Sequence, residues 1–292
     1  MTGPAYGALL DAVRGVHWSA RHSVSGAISG AHQSRQRGTS AEFTEYRLYR
    51  QGDDPRRIDW RLLARSDRAY IRLATHRAML PTMIVLDASP SMAYPVVTRA
   101  KWRRAQEIAI GLAAVVHADN DPVGVAVSDD RGRMRILPPR TRRGVVGEIS
   151  RVIDAADPDA TEPLAPTLAS LRVPRLAIIT DLLGDADDLL RVASVHIVGG
   201  GEVHLVHMVA REEIDLPKRT MLAADPEAPE LQRVVVDSTR RAYDAAFADW
   251  RSDMARRWRA AGASYVQVIA DEAAPHAVRR IAEPPHVGGA RS

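Results

Sequence analysis

Short runs of apolar residues alternate with longer amphipathic segments over most of this chain. Residues 83–86 and 176–179 are continuous apolar runs and residues 203–209 are mostly apolar, a pattern typical of strands that are buried on both faces of a sheet. Residues 98–118 instead place apolar side chains at helical spacing, with arginines on the opposite face. Strands that alternate with helices over residues 81–270 predict a doubly wound, mostly parallel α/β sheet.

Weaker patterns complete this α/β domain. Residues 123–127 and 134–137 are predicted to be two strands, and Asp130-Arg131-Gly132 between them indicates a hairpin turn. The remaining predicted elements are helices at residues 142–156, 186–195 and 240–261 and strands at residues 234–236 and 265–269.

The first 80 residues follow a different pattern. A short helix and a loop rich in Gly, Ser, His and Arg precede short aromatic and β-branched segments around the turn signal Gly52-Asp53-Asp54-Pro55. We therefore predict an N-terminal helix, loop and β-rich subdomain over residues 1–80, an α/β domain over residues 81–283, and a flexible Pro/Gly-rich tail over residues 284–292.

Oxygen-bearing side chains directly follow the first buried strand. Asp87, Ser89 and Ser91 are spaced two residues apart, so a tightly curled loop would bring one carboxylate and two hydroxyls together. In open parallel sheets, ligands bind beyond the carboxyl ends of the strands, where the strand order reverses. Hard oxygen ligands suit Mg²⁺, and Mn²⁺ or Ca²⁺ would accept the same donors.

Three ligands are too few for Mg²⁺, which prefers six, so we expect further ligands from other strand ends. Asp181 follows the second buried strand, and an acid there needs a partner or a cation. Thr161, in the loop before that strand, is the candidate hydroxyl, with Thr167 as its alternative. Ser and Asp after a strand also cap the next helix, so capping and metal binding both remain open on spacing alone.

Composition restricts the function classes. Without cysteine, the chain has no disulfide, thiol nucleophile or cysteine-ligated zinc. The net charge is only +4 and acids alternate with the arginines, so we expect no nucleic-acid binding. No stretch approaches the 18 to 20 apolar residues of a spanning helix, and Asp11 interrupts the apolar N-terminal residues, so we expect a cytoplasmic protein.

The segment before the first buried strand is the most specific feature of the sequence, and it resembles the signature of the domain of unknown function 58 family. The residues that carry the resemblance are Gly30-x-His32-x-Ser34, Gly38, Glu42-Phe43, Glu45-x-Arg47-x-Tyr49, Gly52-Asp53-Asp54-x-Arg56-x-Ile58-Asp59-Trp60 and Ala64-Arg65. In addition, Asp87-x-Ser89-x-Ser91, Thr161 and Asp181 resemble the metal-ion-dependent adhesion site of von Willebrand factor A domains.

The resemblance implies a von Willebrand factor A-like, Rossmann-type domain that acts without catalysis. Relatives are typically encoded beside MoxR-type AAA+ ATPases, which implies an adaptor that couples such a motor to a client bearing an acidic residue, in protein maturation or stress response. This sequence departs from the family in two ways: many relatives carry two spanning helices ahead of the signature, which leaves membrane-protein partners open, and glycines often precede the threonine where Asp159-Ala160 stands here.

Two other function classes compete with the adaptor. In a Mg²⁺-dependent hydrolase or phosphotransferase, Asp87 would be the nucleophile, but such enzymes usually carry a second acid two residues later, where this chain has Ser89. In a structural or nucleic-acid-binding protein, Asp87 would only cap a helix. The charged segment 42–65 is either an ion-pair network in which Tyr49 and Trp60 pack, or a docking surface.

Overall fold

The computed structural model divides the chain into two compact units, one formed by residues 1–21 and 80–292 and the other by residues 22–79. The structure describes residues 6–20, 41–51, 53, 55–66, 68–76, 79–128, 133–216, 221–224, 232–235 and 237–283. The predicted turn at residues 130–132 and the predicted tail at residues 284–292 lie outside these ranges.

A six-stranded, mostly parallel sheet forms the centre of the larger unit. Its order is β10-β7-β6-β3-β4-β5, and only β5 runs antiparallel to its neighbour. The bounds are β3 Thr82–Leu86, β4 Val123–Ser128, β5 Met134–Arg140, β6 Arg175–Thr180, β7 Glu202–Val209 and β10 Ser264–Ile269. Every residue of β3, β6 and β7 is buried, which confirms the prediction of a mixed α/β fold around strands covered on both faces.

Helices cover both faces of this sheet and bury two separate apolar clusters. Helix α3 packs its apolar side on one face, and Trp258 of α8 is fully buried in the cluster on the other face. The bounds are α1 Gly7–Ala12, α3 Ala100–Ala118, α4 Val145–Asp154, α5 Leu164–Ser170, α6 Ala186–Val198, α7 Arg211–Ile214, α8 Asp237–Ala260 and α9 Ala274–Ala282.

Several short elements were not predicted from the sequence. The helices α5, α7 and α9 have at most nine residues, too few for a clear helical period. The predicted strand at residues 234–236 is β9, Gln232–Val235, which pairs with the unpredicted strand β8, Met221–Ala224, in a separate two-stranded sheet. Within the described ranges, no helix has both the length and the apolarity needed to cross a bilayer.

The N-terminal segment belongs to the larger unit, whereas the sequence placed it with residues 22–80. Val13, Val16 and Trp18 are buried in the same apolar cluster as α3. The Trp18 N–H donates to Asp119 Oδ2 (2.9 Å), and Arg175 Nη1 donates to the Trp18 carbonyl (3.1 Å). These contacts join residues more than 100 positions apart in sequence, so local patterns could not have predicted them.

The smaller unit contains a two-stranded antiparallel sheet and a short helix. Strand β1, Ala41–Leu48, pairs with β2, Tyr70–His76, and α2, Trp60–Ser66, lies between them in sequence. The strands agree with the predicted β-rich character, but α2 was not predicted. Asp59 begins this helix, because its Oδ1 accepts the N–H groups of Arg61 and Leu62, each at 3.1 Å.

Candidate functional site

The candidate site lies where the strand order of the large sheet reverses. From β3 the chain continues to β4 and β5 on one side, and later returns to β6, β7 and β10 on the other. The Asp87 N–H donates to the Ile179 carbonyl (2.9 Å), so the carboxyl ends of β3 and β6 are adjacent. Asp87 and Asp181 therefore leave neighbouring strands at the position where open parallel sheets bind ligands.

A tightly curled loop brings the three oxygen-bearing residues after β3 together. Asp87 Oδ1 accepts the Ser89 N–H (2.9 Å), and the Ser89 and Ser91 hydroxyl oxygens lie 3.1 Å apart. Asp87 Oδ2 accepts the Thr180 hydroxyl (2.6 Å), which fixes the carboxylate against the end of β6. Residues 90–93 then form one turn of 3₁₀ helix in which the Ser89 side chain makes no capping hydrogen bond. Helix capping therefore does not account for the hydroxyl of Ser89.

Asp181 has a cationic partner that the sequence patterns did not indicate. Lys101 Nζ donates to Asp181 Oδ2 (2.8 Å) and to Glu213 Oε1 (2.7 Å). The exposed fractions of these side chains are 0% for Lys101, 2% for Asp181 and 12% for Glu213. Glu213 Oε2 in turn accepts the Ala210 N–H (2.6 Å), which anchors Glu213 at the start of α7. Carboxylates from two separate elements, the end of β6 and α7, thus contact the ammonium group carried by α3.

The loop before β6 also reaches the site. The Ala160 N–H donates to the Ala88 carbonyl (2.8 Å), so this loop runs alongside the loop that follows β3. Thr161 comes next and is exposed at the surface, whereas the alternative, Thr167, lies within α5. The backbone contact of Ala160 places Thr161, but not its hydroxyl, next to the loop of Asp87.

Burial and charge shift the protonation of these groups. Burial, and then the charge of Asp181, raise the pKa of Asp87 from 3.8 to about 6, although the hydrogen bonds from Thr180 and Ser89 oppose the shift. Burial alone would lower the pKa of Lys101, but the charges of Asp181 and Glu213 more than offset it and raise that pKa. Burial also raises the pKa of Glu213, against the effect of Lys101.

The oxygen donors of this cluster are of the type that hard divalent cations prefer. Adjacent ligands in octahedral Mg²⁺ coordination lie about 3 Å apart, close to the 3.1 Å between the Ser89 and Ser91 hydroxyls. Each carboxylate oxygen of Asp87 and Asp181 has a second lone pair beyond the hydrogen bond it accepts. Among the described residues, no three His, Asp or Glu side chains form a metal site by themselves, so binding there would depend on the serine hydroxyls.

Two loops at the rim of the site combine strained backbone with exposed apolar side chains. Leu182, directly after Asp181, has φ +60°, and Arg99 has φ +48°, a region that side chains other than glycine rarely adopt. Leu183 is 44% exposed, and Val96 and Val97 are 76% and 95% exposed. Leu183 lies two residues after Asp181, and Val96 and Val97 lie between Ser91 and Lys101 in sequence, so both loops that follow the oxygen-bearing residues carry exposed apolar side chains.

We expect Asp87→Asn to stabilise the protein in cation-free buffer at pH 7. The pKa of Asp87 is higher in the folded than in the unfolded chain, so its stabilising effect holds below pH 3.8 and is lost as the pH rises through about 6. The Asn side chain carries no charge and avoids this loss, which is on the order of 3 kcal/mol in unfolding free energy for the shift from 3.8 to about 6. Urea denaturation of wild type and variant at pH 4 and pH 7 measures the stability difference. A difference of equal size at both pH values would contradict the prediction.

The charged signature segment in the smaller unit contains an ion pair and a hydrogen bond between a tyrosine and a carboxylate. Arg47 Nη2 contacts Asp53 Oδ1 (2.8 Å), and the Tyr46 hydroxyl donates to Asp59 Oδ2 (2.9 Å). These contacts agree with the ion-pair alternative, yet Trp60 is 62% exposed. The signature positions Gly30, His32, Ser34, Gly38, Gly52 and Asp54 lie outside the described residues.

Several known proteins resemble this chain. Uncharacterized proteins of Mycobacterium bovis and Mycobacterium tuberculosis are 26% identical to it over 277 residues, which is 90% of this chain and 85% of each relative. The conserved hypothetical protein BatB from Bacteroides thetaiotaomicron has 18% identity and a TM-score of 0.46, over 69% of this chain and 96% of BatB. An aerotolerance-related membrane protein from Bacteroides fragilis has 18% identity and a TM-score of 0.44, over 70% and 98% of the two chains.

The family profile described as protein of unknown function DUF58 matches residues 45–253. This range includes the Arg47–Asp53 ion pair, the loop from Asp87 to Ser91, and the cluster of Lys101, Asp181 and Glu213. The match covers more than half of the 292 residues, so the chain belongs to the family of proteins of unknown function DUF58.

Proposed function

We propose that this chain is a non-enzymatic adaptor that binds a partner protein through a divalent cation at the rim of its parallel sheet. The observation that carries the proposal is the convergence of Asp87, Ser89 and Ser91 beside Asp181 at the strand-order switch. Asp87, Ser89 and Ser91 would hold the cation directly or through water, with Asp181 and Thr161 completing the set. A bound Mg²⁺ would supply a coordination position for the carboxylate of a partner.

The fold and the site support this proposal together. A doubly wound sheet with hydroxyl and carboxylate ligands at the switch point is the arrangement expected of a von Willebrand factor A-like domain with a metal-ion-dependent adhesion site. Val96, Val97 and Leu183 would add apolar contact area around the carboxylate of the partner, since exposed apolar groups beside a polar centre are typical of interfaces.

The chemistry near Asp87 favours binding over catalysis. Phosphotransferases of the aspartyl type usually carry a second acid two residues after the nucleophile, and this chain has Ser89 at that position. Both oxygens of Asp87 accept hydrogen bonds, from the Ser89 N–H and the Thr180 hydroxyl, which lowers the nucleophilicity of the carboxylate. His207, on β7, is held neutral because burial lowers its pKa to about 4, and its Nδ1 is engaged with the Tyr265 hydroxyl.

The proposed partners follow from the family resemblance. They are a MoxR-type AAA+ ATPase and a client that presents an acidic residue, with this chain coupling the two in protein maturation or stress response. The ATPase would supply the energy, because the sequence has no Gly-x-x-x-x-Gly-Lys-Ser/Thr phosphate loop.

A pull-down with and without Mg²⁺ tests the proposed function. The wild-type chain is expected to retain an ATPase or a client in Mg²⁺, and to lose it in EDTA or in Asp87→Asn. Asp188→Asn on α6, an exposed carboxylate paired with Arg191, is the matched control and is expected to retain the partner. Capture that is indifferent to both EDTA and Asp87→Asn would contradict a cation-dependent contact, and phosphatase turnover lost in Asp87→Asn would contradict the non-enzymatic assignment.

A further inference from the structure

The buried ammonium of Lys101 shares a carboxylate with the candidate cation site. Its Nζ lies 2.8 Å from Asp181 Oδ2, and the Lys101 side chain has no exposed surface. Glu213 accepts from the same ammonium at 2.7 Å and also accepts the Ala210 N–H. Because the fully buried Lys101 side chain donates to both carboxylates, Asp181 already has a cationic partner within the chain.

We propose that Lys101 sets the cation affinity of this site by holding Asp181 as its own counter-ion. The inference rests on the proposed cation site and adds a residue to it that the donor pattern does not include. An ammonium that donates to Asp181 Oδ2 occupies a lone pair that a cation or its water would use, and it repels a cation nearby. The intact site therefore binds divalent cations more weakly than its oxygen donors alone would.

The proposed effect of Lys101 on cation affinity does not come from net charge, because the negative charge of Glu213 cancels the positive charge of Lys101. The Lys101–Glu213 pair contributes no net charge, and Asp87 and Asp181 supply the two negative charges that face the cation. Replacing both Lys101 and Glu213 with neutral side chains of similar size keeps the net charge of the cluster unchanged and frees Asp181. A change in affinity on that double replacement would report the ammonium–Asp181 contact and not the total charge.

The choice of lysine over arginine supports a specific role at this position. Lysine occurs only at positions 101 and 218 in a chain with 40 basic residues of the Lys and Arg types. A lysine ammonium is a compact point charge that fits between two carboxylates, whereas the planar fork of arginine requires more space. The structure places this rare residue next to Asp181.

Titration with Mn²⁺, followed by electron paramagnetic resonance of the free ion, tests the proposal. Wild type, Lys101→Met/Glu213→Gln, Glu213→Gln and Asp87→Asn are compared, and circular dichroism verifies that each is folded. The double variant is expected to bind Mn²⁺ at least about tenfold more tightly than wild type. Glu213→Gln leaves the ammonium with Asp181 as its only carboxylate and is expected to bind more weakly, and Asp87→Asn is expected to lose the site.

The outcomes separate this proposal from the proposed function. Mn²⁺ binding to wild type that is unchanged or weaker in the folded double variant would overturn the role of Lys101 and leave the cation site standing. Binding to the double variant alone would support the proposal, since the ammonium then suppresses binding in wild type. Absence of binding to both proteins would overturn the cation site and this proposal together. If the double variant does not fold, unchanged binding by Glu213→Gln overturns the proposal.

Discussion

Replacing Lys101 with methionine is expected to lower the free energy of unfolding by about 3 to 5 kcal/mol in cation-free buffer. The substitution removes the ammonium and leaves the carboxylates of Asp181 and Glu213 buried without their common partner. Methionine fills a similar volume, so the loss reports the uncompensated charges and not a cavity. The raised pKa of Lys101 has the same origin, because both carboxylates favour the charged form of the amine.

Urea denaturation of wild type and variant at pH 7 measures this loss. Arg191→Met is the matched control, because Arg191 pairs with Asp188 on the surface of α6, where both side chains are more than 60% exposed. The control is expected to change stability by less than about 1 kcal/mol. Glu213→Gln in the Lys101→Met background is expected to restore part of the loss, since one buried carboxylate is then neutral. A loss below about 1 kcal/mol for Lys101→Met would contradict the buried ion-pair assignment.

The positions of Asp87 and Asp181 could be predicted from sequence because they depend only on local patterns. A continuous apolar run marks a strand buried on both faces, and the first polar residue after it lies at the carboxyl end. Two such strands place their carboxyl ends at one edge of the sheet, which is where the structure has both residues. The opposite orientations of His204 and His207, three residues apart on one strand, follow from the same geometry: His204 contacts Trp18, and His207 contacts Trp250.

The ion-pair cluster of Lys101, Asp181 and Glu213 could not be predicted in this way. Lys101 is 80 residues from Asp181 and 112 residues from Glu213 in sequence. The segment of Lys101 has a pattern that indicates only a helix, and no element was predicted for the segment of Glu213. The single signal was compositional, a lysine in a chain that otherwise uses arginine almost throughout. Short helices such as α5 and α7 were not predicted for a related reason, since tertiary contacts rather than local propensity stabilise helices of this length.

The N-terminal segment shows how much stability such distant contacts supply, and Trp18→Ala is expected to cost the larger unit about 3 to 5 kcal/mol. Trp18 is 2% exposed, and its ring contacts the Arg175 guanidinium (4.8 Å to the ring centroid) and the His204 ring (4.8 Å between centroids). Alanine would remove the largest side chain of the segment and open a cavity beside a buried cation. The main-chain contacts of residue 18 with Asp119 and Arg175 would remain available, so the loss of stability measures the contribution of the Trp18 ring.

Hydrogen–deuterium exchange at the amides of β6 and β7 measures this effect in the larger unit itself. Faster exchange of these buried strands is expected in Trp18→Ala, because Arg175 begins β6 and its other partner, Glu202, begins β7. Trp60→Ala is the control, since the same side chain is removed from a position that is 62% exposed, and exchange in β6 and β7 is expected to stay at the wild-type rate. Wild-type exchange in Trp18→Ala would show that the segment before residue 21 does not stabilise the sheet. Loss of protection confined to Trp18→Ala would instead make the N-terminal segment a structural part of the domain whose opposite end carries Asp87 and Asp181.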